Sequence, residues 1–234
     1  MKIKIALMLL IILGLALAQN PPPATVDTSR DADIKIESTT AVVDIEDYVV
    51  DNFEDAGVWI GEMPRDMGII RVIRKKGGPS KVTKAAQNAG EYVLGAKVKY
   101  FRTGHNWFGI YPPREKSIRG IAKVLSMWVC GRNYNHTIKI IIRDFRGNLN
   151  EISLGKINFL GWQELSAQIP SGVIQENYKL SLDRGIKFHS LLINCHPQET
   201  SGTFFIYLDN LIAKTDMFAE RPENRDPDDM VDDW

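Results

Sequence analysis

The chain has 234 residues, 44% of them hydrophobic and 25% charged, the composition of an ordinary globular protein and not of a fibrous, collagen-like or wholly disordered one. That length suits one large all-β domain or two small ones with a real core. Its 29 lysines and arginines balance 29 aspartates and glutamates, which argues against a dedicated nucleic-acid binder, since such proteins carry a basic excess.

The first residues read MKIKIALMLLIILGLALAQ. Lys2 and Lys4 form a short positive region, residues 5–17 an apolar one, and Ala16-Leu17-Ala18 a small-x-small cleavage pattern. Residues 1–18 are therefore expected to be a signal peptide, cut after Ala18. The alternative is an uncleaved helix, for which the stretch is short and too soon followed by polar residues to be a membrane anchor. Residues 19–42 carry Pro21, Pro22 and Pro23 among many acids and read as an extended arm.

Strand signals then recur with few helical stripes between them. The segment DIEDYVV at 44–50 reads as an entry strand. IIRVIR at 69–74 runs into the turn-like KKGGPS. In EYVLGAKVKYF at 91–101, Tyr92, Leu94, Ala96, Val98 and Tyr100 share one parity while Lys97 and Lys99 face the other way. KVLSMWVC at 123–130 and HTIKIIIRD at 136–144 follow; the latter sets Ile138, Ile140 and Ile142 on one side. RGN at 146–148 turns the chain into NEISLG and GWQELSAQIP. GIKFHSLLINC at 185–195 and GTFFIYLDNLIAKT at 202–215 are the last two strands. A lone helix fits near 80–88 or 171–177. Nine or ten strands without crossover helices predict an all-β sandwich of one domain, residues 43–215. Residues 216–234, an acidic tail with two prolines, read as extended, with Met230, Val231 and Trp234 either a small sticky anchor or simply solvated.

Charge is segregated along the chain. Residues 19–51 hold eight acids and two bases, residues 65–123 fourteen bases and three acids, and residues 216–234 eight acids and two bases. Opposed blocks read either as an electrostatic interface or as solvated faces. The densest cationic cluster is Arg71, Arg74, Lys75 and Lys76 beside Gly77-Gly78, and these four are the candidate partner contact. Trp107, in the loop-like RTGHNWFGIYPP, is the best candidate for an exposed ring, whereas Trp128 and Trp162 read as core.

Catalytic signatures do not emerge. There is no GxSxG, no HExxH and no phosphate-binding Gly-rich loop, and His105, His136, His189 and His196 have no metal-ligand spacing. Asp51, Glu54, Asp144 and Asp209 sit at strand ends, where they either cap turns or hold a structural calcium. Cys130 and Cys195 each end a predicted strand; a disulfide and two buried free thiols both remain open.

Four segments carry a family resemblance: VDNFED at 50–55 with Trp59, MWVCGRNYNHTIKIIIRDFRGN at 127–148, LGKINFLGWQELSAQIP at 154–170, and YLDNL at 207–211. Together they resemble the spirochaete flagellar filament outer-layer (sheath) protein family. VDNFED and YLDNL also resemble the first and last strands of galactose-binding-like and carbohydrate-module jelly rolls. The first resemblance implies a non-enzymatic protein exported to the periplasm. It implies a coat on the endoflagellar filament, in repeated copies around a flagellin core and beside other sheath proteins, that affects filament shape and motility. It implies no catalytic residue and no cofactor. The second implies a jelly-roll sandwich and an alternative function, an exported non-catalytic carbohydrate-binding module.

Overall fold

The computed structural model describes residues 44–79, 90–176 and 185–217. The signal peptide, the arm, the candidate helix at 80–88 and all but the first two residues of the tail lie outside them. Among the described residues twelve strands follow one another: β1 Ile45–Asp51, β2 Ile60–Glu62, β3 Gly68–Lys76, β4 Tyr92–Tyr100, β5 Trp107–Tyr111, β6 Lys116–Ile118, β7 Ile121–Arg132, β8 Thr137–Arg143, β9 Leu149–Lys156, β10 Leu160–Gln168, β11 Ile186–Asn194 and β12 Thr203–Asp216. Among the described residues, the helices are two single turns at Ala56–Val58 and Pro197–Glu199. Residues 171–176 form turns and loop, not the start of a helix. Among the described residues no helix is long and apolar enough to cross a membrane.

The strands form two antiparallel sheets of six, a β-sandwich. Sheet A runs β10-β7-β12-β4-β3, and sheet B runs β2-β5-β11-β8-β9. Each is built on one long strand that serves two partners along one edge. In sheet A, β4 pairs with residues 203–208 of β12 and β1 with residues 211–216, so β4 and β1 meet end to end. In sheet B, β5 and β6 share β11 in the same manner.

The junction in sheet A is a β-bulge. Register against β7 shifts between Asp209 and Leu211, and Asn210 takes φ 45°. Asn tolerates that left-handed conformation better than most residues. The first turn after β1 is pinned beside it. Asp51 accepts the Phe53 N–H at 2.7 Å and forms an ion pair with Lys116, which holds Phe53 at φ 56°. Phe53 is thereby driven into the core against Trp59, 5.0 Å away, and Trp59 meets Phe188 at 6.0 Å.

Period-two alternation decides what lies between the sheets. Leu94, Ala96, Val98, Leu125, Met127, Val129, Phe204, Ile206 and Leu208 from sheet A face Phe108, Ile110, Ile138, Ile140, Ile142, Leu191 and Ile193 from sheet B, all of them buried. One polar chain crosses this interior. The His196 N–H donates to His136 Nδ1 at 3.1 Å, which leaves the proton of neutral His136 on Nε2, 3.2 Å from the Tyr100 hydroxyl. That hydroxyl is in turn 3.2 Å from Cys195 Sγ. Burial lowers the His136 pKa to about 4 and raises that of the Cys195 thiol to about 11, so both groups are neutral near pH 7.

Candidate functional site

The four sequence-selected cations divide by strand parity. In β3, Ile70 and Val72 turn inward onto the core, so Arg71, Ile73 and Lys75 turn outward. Arg74 falls on the other parity, 3.8 Å from Glu54 and 3.6 Å above the Tyr92 ring. Lys76 pairs with Glu91 at 3.1 Å, and that bond raises its pKa. Only Arg71 and Lys75 of the four therefore belong to the outer face of sheet A. Trp107 is not in a loop. It opens β5 opposite Asn194, on sheet B, and is 39% exposed. It does not join the cations, because WFGIY alternates well enough to pair as a strand.

Register supplies the residues that linear sequence hid. Across the outer face of sheet A the rows are Ile69–Lys99–Thr203, Arg71–Lys97–Phe205 and Ile73–Gly95–Tyr207–Cys130–Trp162, with Asp209–Trp128–Glu164 beyond. Trp128 and Trp162 are thus half-buried on this face, not core. Their strands' inward positions go instead to Leu125, Met127 and Val129 in β7 and to Leu165 and Ala167 in β10. Gly95 keeps the middle row flat. A Cβ there would stand 3.1 Å from the Tyr207 ring and 3.3 Å from Ile73, tight enough to push the ring away.

Cations ring these aromatics. Lys75 lies 5.0 Å over the Tyr207 ring and donates to its hydroxyl at 3.4 Å; Arg132 is 5.8 Å over the same ring, and Lys97 5.6 Å over Phe205. Such contacts orient a cation without neutralising it. Among the described residues, Arg71, Lys75, Lys97, Lys99 and Arg132 form no ion pair with a carboxylate. Arg71 and Lys97 are direct cross-strand partners, an arrangement that costs about 0.2–1 kcal/mol relative to neutral neighbours. Ile69, Ile73 and Phe205 stand exposed between them. Beside the rows, Arg132, Tyr134, Thr203, Phe205 and Tyr207 line an open cavity of about 500 Å³.

The remaining candidates are spent on the fold. Asp144 accepts the Asn148 N–H at 2.8 Å and the side chains of Asn148 and Asn150, which caps the β8–β9 turn and lowers its pKa. Glu54 accepts the first N–H of β4, from Tyr92, at 2.9 Å. Asp209 accepts the Asn210 N–H at 2.9 Å, and burial raises its pKa to about 7, with the nearby Glu54 charge adding to the rise. Among the described residues no three His, Cys, Asp or Glu side chains converge to hold a metal ion. Cys130 and Cys195 are free, one on the outer face of sheet A and the other buried beyond the end of β11.

This is a β-sandwich with a ring-studded cationic surface on the outer face of sheet A. Residues 18–220 match the family described as flagellar filament outer layer protein FlaA. A flagellar filament outer layer-like protein of Brachyspira hyodysenteriae is 40% identical over 190 residues, spanning 81% of this chain and 87% of that one. The chain belongs to this family. It is a structural, non-enzymatic outer-layer protein of the periplasmic flagellar filament, and the periplasm is where it resides after export.

Solved structures align more loosely. A carbohydrate-binding module of the β-sandwich superfamily gives TM-score 0.46 at 14% identity, covering 70% of this chain and 60% of that one. A family 11 carbohydrate-binding module from Clostridium thermocellum, in complex with a mixed-linked tetrasaccharide, gives TM-score 0.41 at 11% identity, covering 74% and 98%. At such scores neither alignment bears on what this chain binds.

Proposed function

We propose that the outer face of sheet A is a packing surface through which this protein is built into the filament's outer layer, over a flagellin core and beside other sheath subunits. The observation that carries this reading is a set of cations without carboxylate partners among the described residues, two of them directly opposed, interleaved with exposed Ile69, Ile73 and Phe205. Burying like charges side by side is unfavourable unless an anionic surface arrives to answer them. Arg71 and Lys75 are the core of the site. Arg74 and Lys76 contribute long-range positive potential at its margin, and Trp107 serves a separate contact on sheet B. The acidic segments 19–42 and 216–234 supply acidic partners.

Changing Arg71, Lys75, Lys97 and Arg132 together to serine should abolish co-sedimentation with purified periplasmic flagella at low salt. In the wild type, binding should weaken steadily as salt rises. Binding that is unchanged in the variant across the salt series removes the reading.

A second reading is supported by the rings around the cavity. Tyr134, Phe205 and Tyr207 beside Arg132 are suited to stacking on a sugar. VDNFED and YLDNL also fall on the paired strands β1 and β12 and their junction, in keeping with a galactose-binding-like jelly roll. Protection of Phe205 and Tyr207 by oligosaccharides, with filament binding untouched by the serine changes, would favour it.

A further inference from the structure

We infer that the cationic face of sheet A receives the acidic C-terminal segment, residues 218–234, of a second copy of this chain, with Trp234 seated in the cavity bounded by Arg132, Tyr134, Thr203, Phe205 and Tyr207. This rests on the packing role proposed above and names the occupant.

Three observations point to that occupant. The first is charge. The face carries Arg71, Lys75, Lys97, Lys99 and Arg132 without carboxylate partners among the described residues. The last nine residues, DPDDMVDDW, hold five aspartates and no base. The second is the cavity. Its volume, about 500 Å³, falls within the range of roughly 300–1,000 Å³ typical of sites that bury a compact ligand. Its walls are three rings and a guanidinium, which suit an indole better than a carboxylate alone. The segment supplies one indole, spaced by aspartates that can meet Lys97 and Arg71 alongside.

The third is direction. β12 runs from Thr203, at the cavity, to Asp216, and the Met217 N–H still donates to the Asp44 carbonyl at 2.8 Å. The antiparallel ladder with β1 therefore carries the chain away from its own cavity up to the last described residue. From Phe205 to Met217 is about 40 Å at strand rise. The segment's seventeen residues span at most about 60 Å when fully extended. Reaching a neighbour placed beyond the end of β12 needs no reversal. A contact of tail on face is head-to-tail, and such contacts repeat along an open helix wherever the rotation between copies does not close a ring, as a coat on a helical filament requires.

Complementation by analytical ultracentrifugation tests this, using the mature chain from Gln19. The wild type should self-associate at low salt. Trp234→Ala should weaken association by about 30-fold, the loss typical of an aromatic anchor. Deleting residues 218–234 should leave monomer, as should the face variant Arg71→Glu/Lys97→Glu/Arg132→Glu. Mixing the deletion protein with the face variant should then yield a 1:1 dimer and nothing larger, because the pair holds one intact face and one intact tail. A synthetic peptide of residues 218–234 should dissociate that dimer, a result independent of how either variant folds. Mixtures that stay monomeric, or a deletion protein that associates like the wild type, would overturn the inference. So would a tail that protects its own chain's face in a monomeric wild type. If the face variant loses filament co-sedimentation while the deletion protein keeps it, the tail assignment fails and the packing role stands.

Discussion

The two outer faces of the sandwich solve the same problem in opposite ways. On sheet B, charges are answered locally even where two cations face each other: Lys139 meets Glu151 at 2.7 Å, and Arg143, directly across from Lys187, meets Glu115 at 2.7 Å with His189 3.8 Å from the same carboxylate. The Arg143 bonds hold the Glu115 pKa below its ordinary value. On sheet A, Lys214 meets Asp47 at 3.9 Å at one end, but among the described residues Arg71, Lys75, Lys97 and Arg132 face one another and rings. Asp209, the acid buried on that face, has its pKa pushed upward by burial and by Glu54. A face that neutralises itself needs no partner; one that leaves charges opposed gives up some stability for a contact. The proposed packing role of sheet A rests on that difference.

The largest expected effect sharpens that contrast at Asp209. A carboxyl whose pKa rises from 3.8 unfolded to about 7 folded contributes most below the unfolded value, and its contribution falls as pH climbs toward 7. The loss by pH 8 is up to about 4 kcal/mol. Asp209→Asn, which keeps the oxygen that accepts the Asn210 N–H, should therefore stabilise the protein by about 1–3 kcal/mol at pH 8 and little at pH 4. His136 has the opposite slope. Its pKa, lowered from 6.5 to about 4, adds stability above 6.5 that is lost as pH falls through that window. Between pH 4 and 6.5 the two groups offset each other in the wild type, and the Asp209→Asn variant should show the uncancelled rise. Urea unfolding at pH 4, 6 and 8 measures both; a variant that is less stable at pH 8 would contradict the assignment.

A smaller effect breaks the comparison directly. Lys97→Glu should stabilise by about 0.5 kcal/mol, because it replaces a like-charge cross-strand pair with an opposite one, yet it should weaken filament binding. Lys139→Glu on sheet B should destabilise by a similar amount, since it replaces the ion pair with Glu151 by two neighbouring acids, and leave filament binding unchanged. Thermal unfolding with co-sedimentation of both variants checks the crossed signs. Loss of stability in both would show that the two faces are built alike.

Much of the sandwich was legible in sequence, and its failures have physical causes. The parities of β4 and β8 were readable because Lys97 and Lys99, and the isoleucines 138, 140 and 142, alternate strictly. β2, β5 and β6 were not, being at most five residues long and interrupted by glycine or charge. Trp128 and Trp162 read as core since β7 is apolar on both parities, and only pairing with Asp209 and Cys130 turns them outward. The site was half visible. A cationic run marks β3, but Arg74 and Lys76 find acids that come from Glu54 and Glu91, and Lys97, Lys99 and Arg132 reach the face through pairings that span the chain. Register across β12, with its bulge at Asp209, is long-range information that local pattern does not carry.

The most direct test of a covered face is photocrosslinking in assembled periplasmic flagella, with a photoreactive residue placed at Phe205 on sheet A or at Lys139 on sheet B. The account predicts protein crosslinks from position 205 that vanish when the filaments are dissociated, and few from position 139. Equal crosslinking from both positions, or none from 205 in intact filaments, would contradict it.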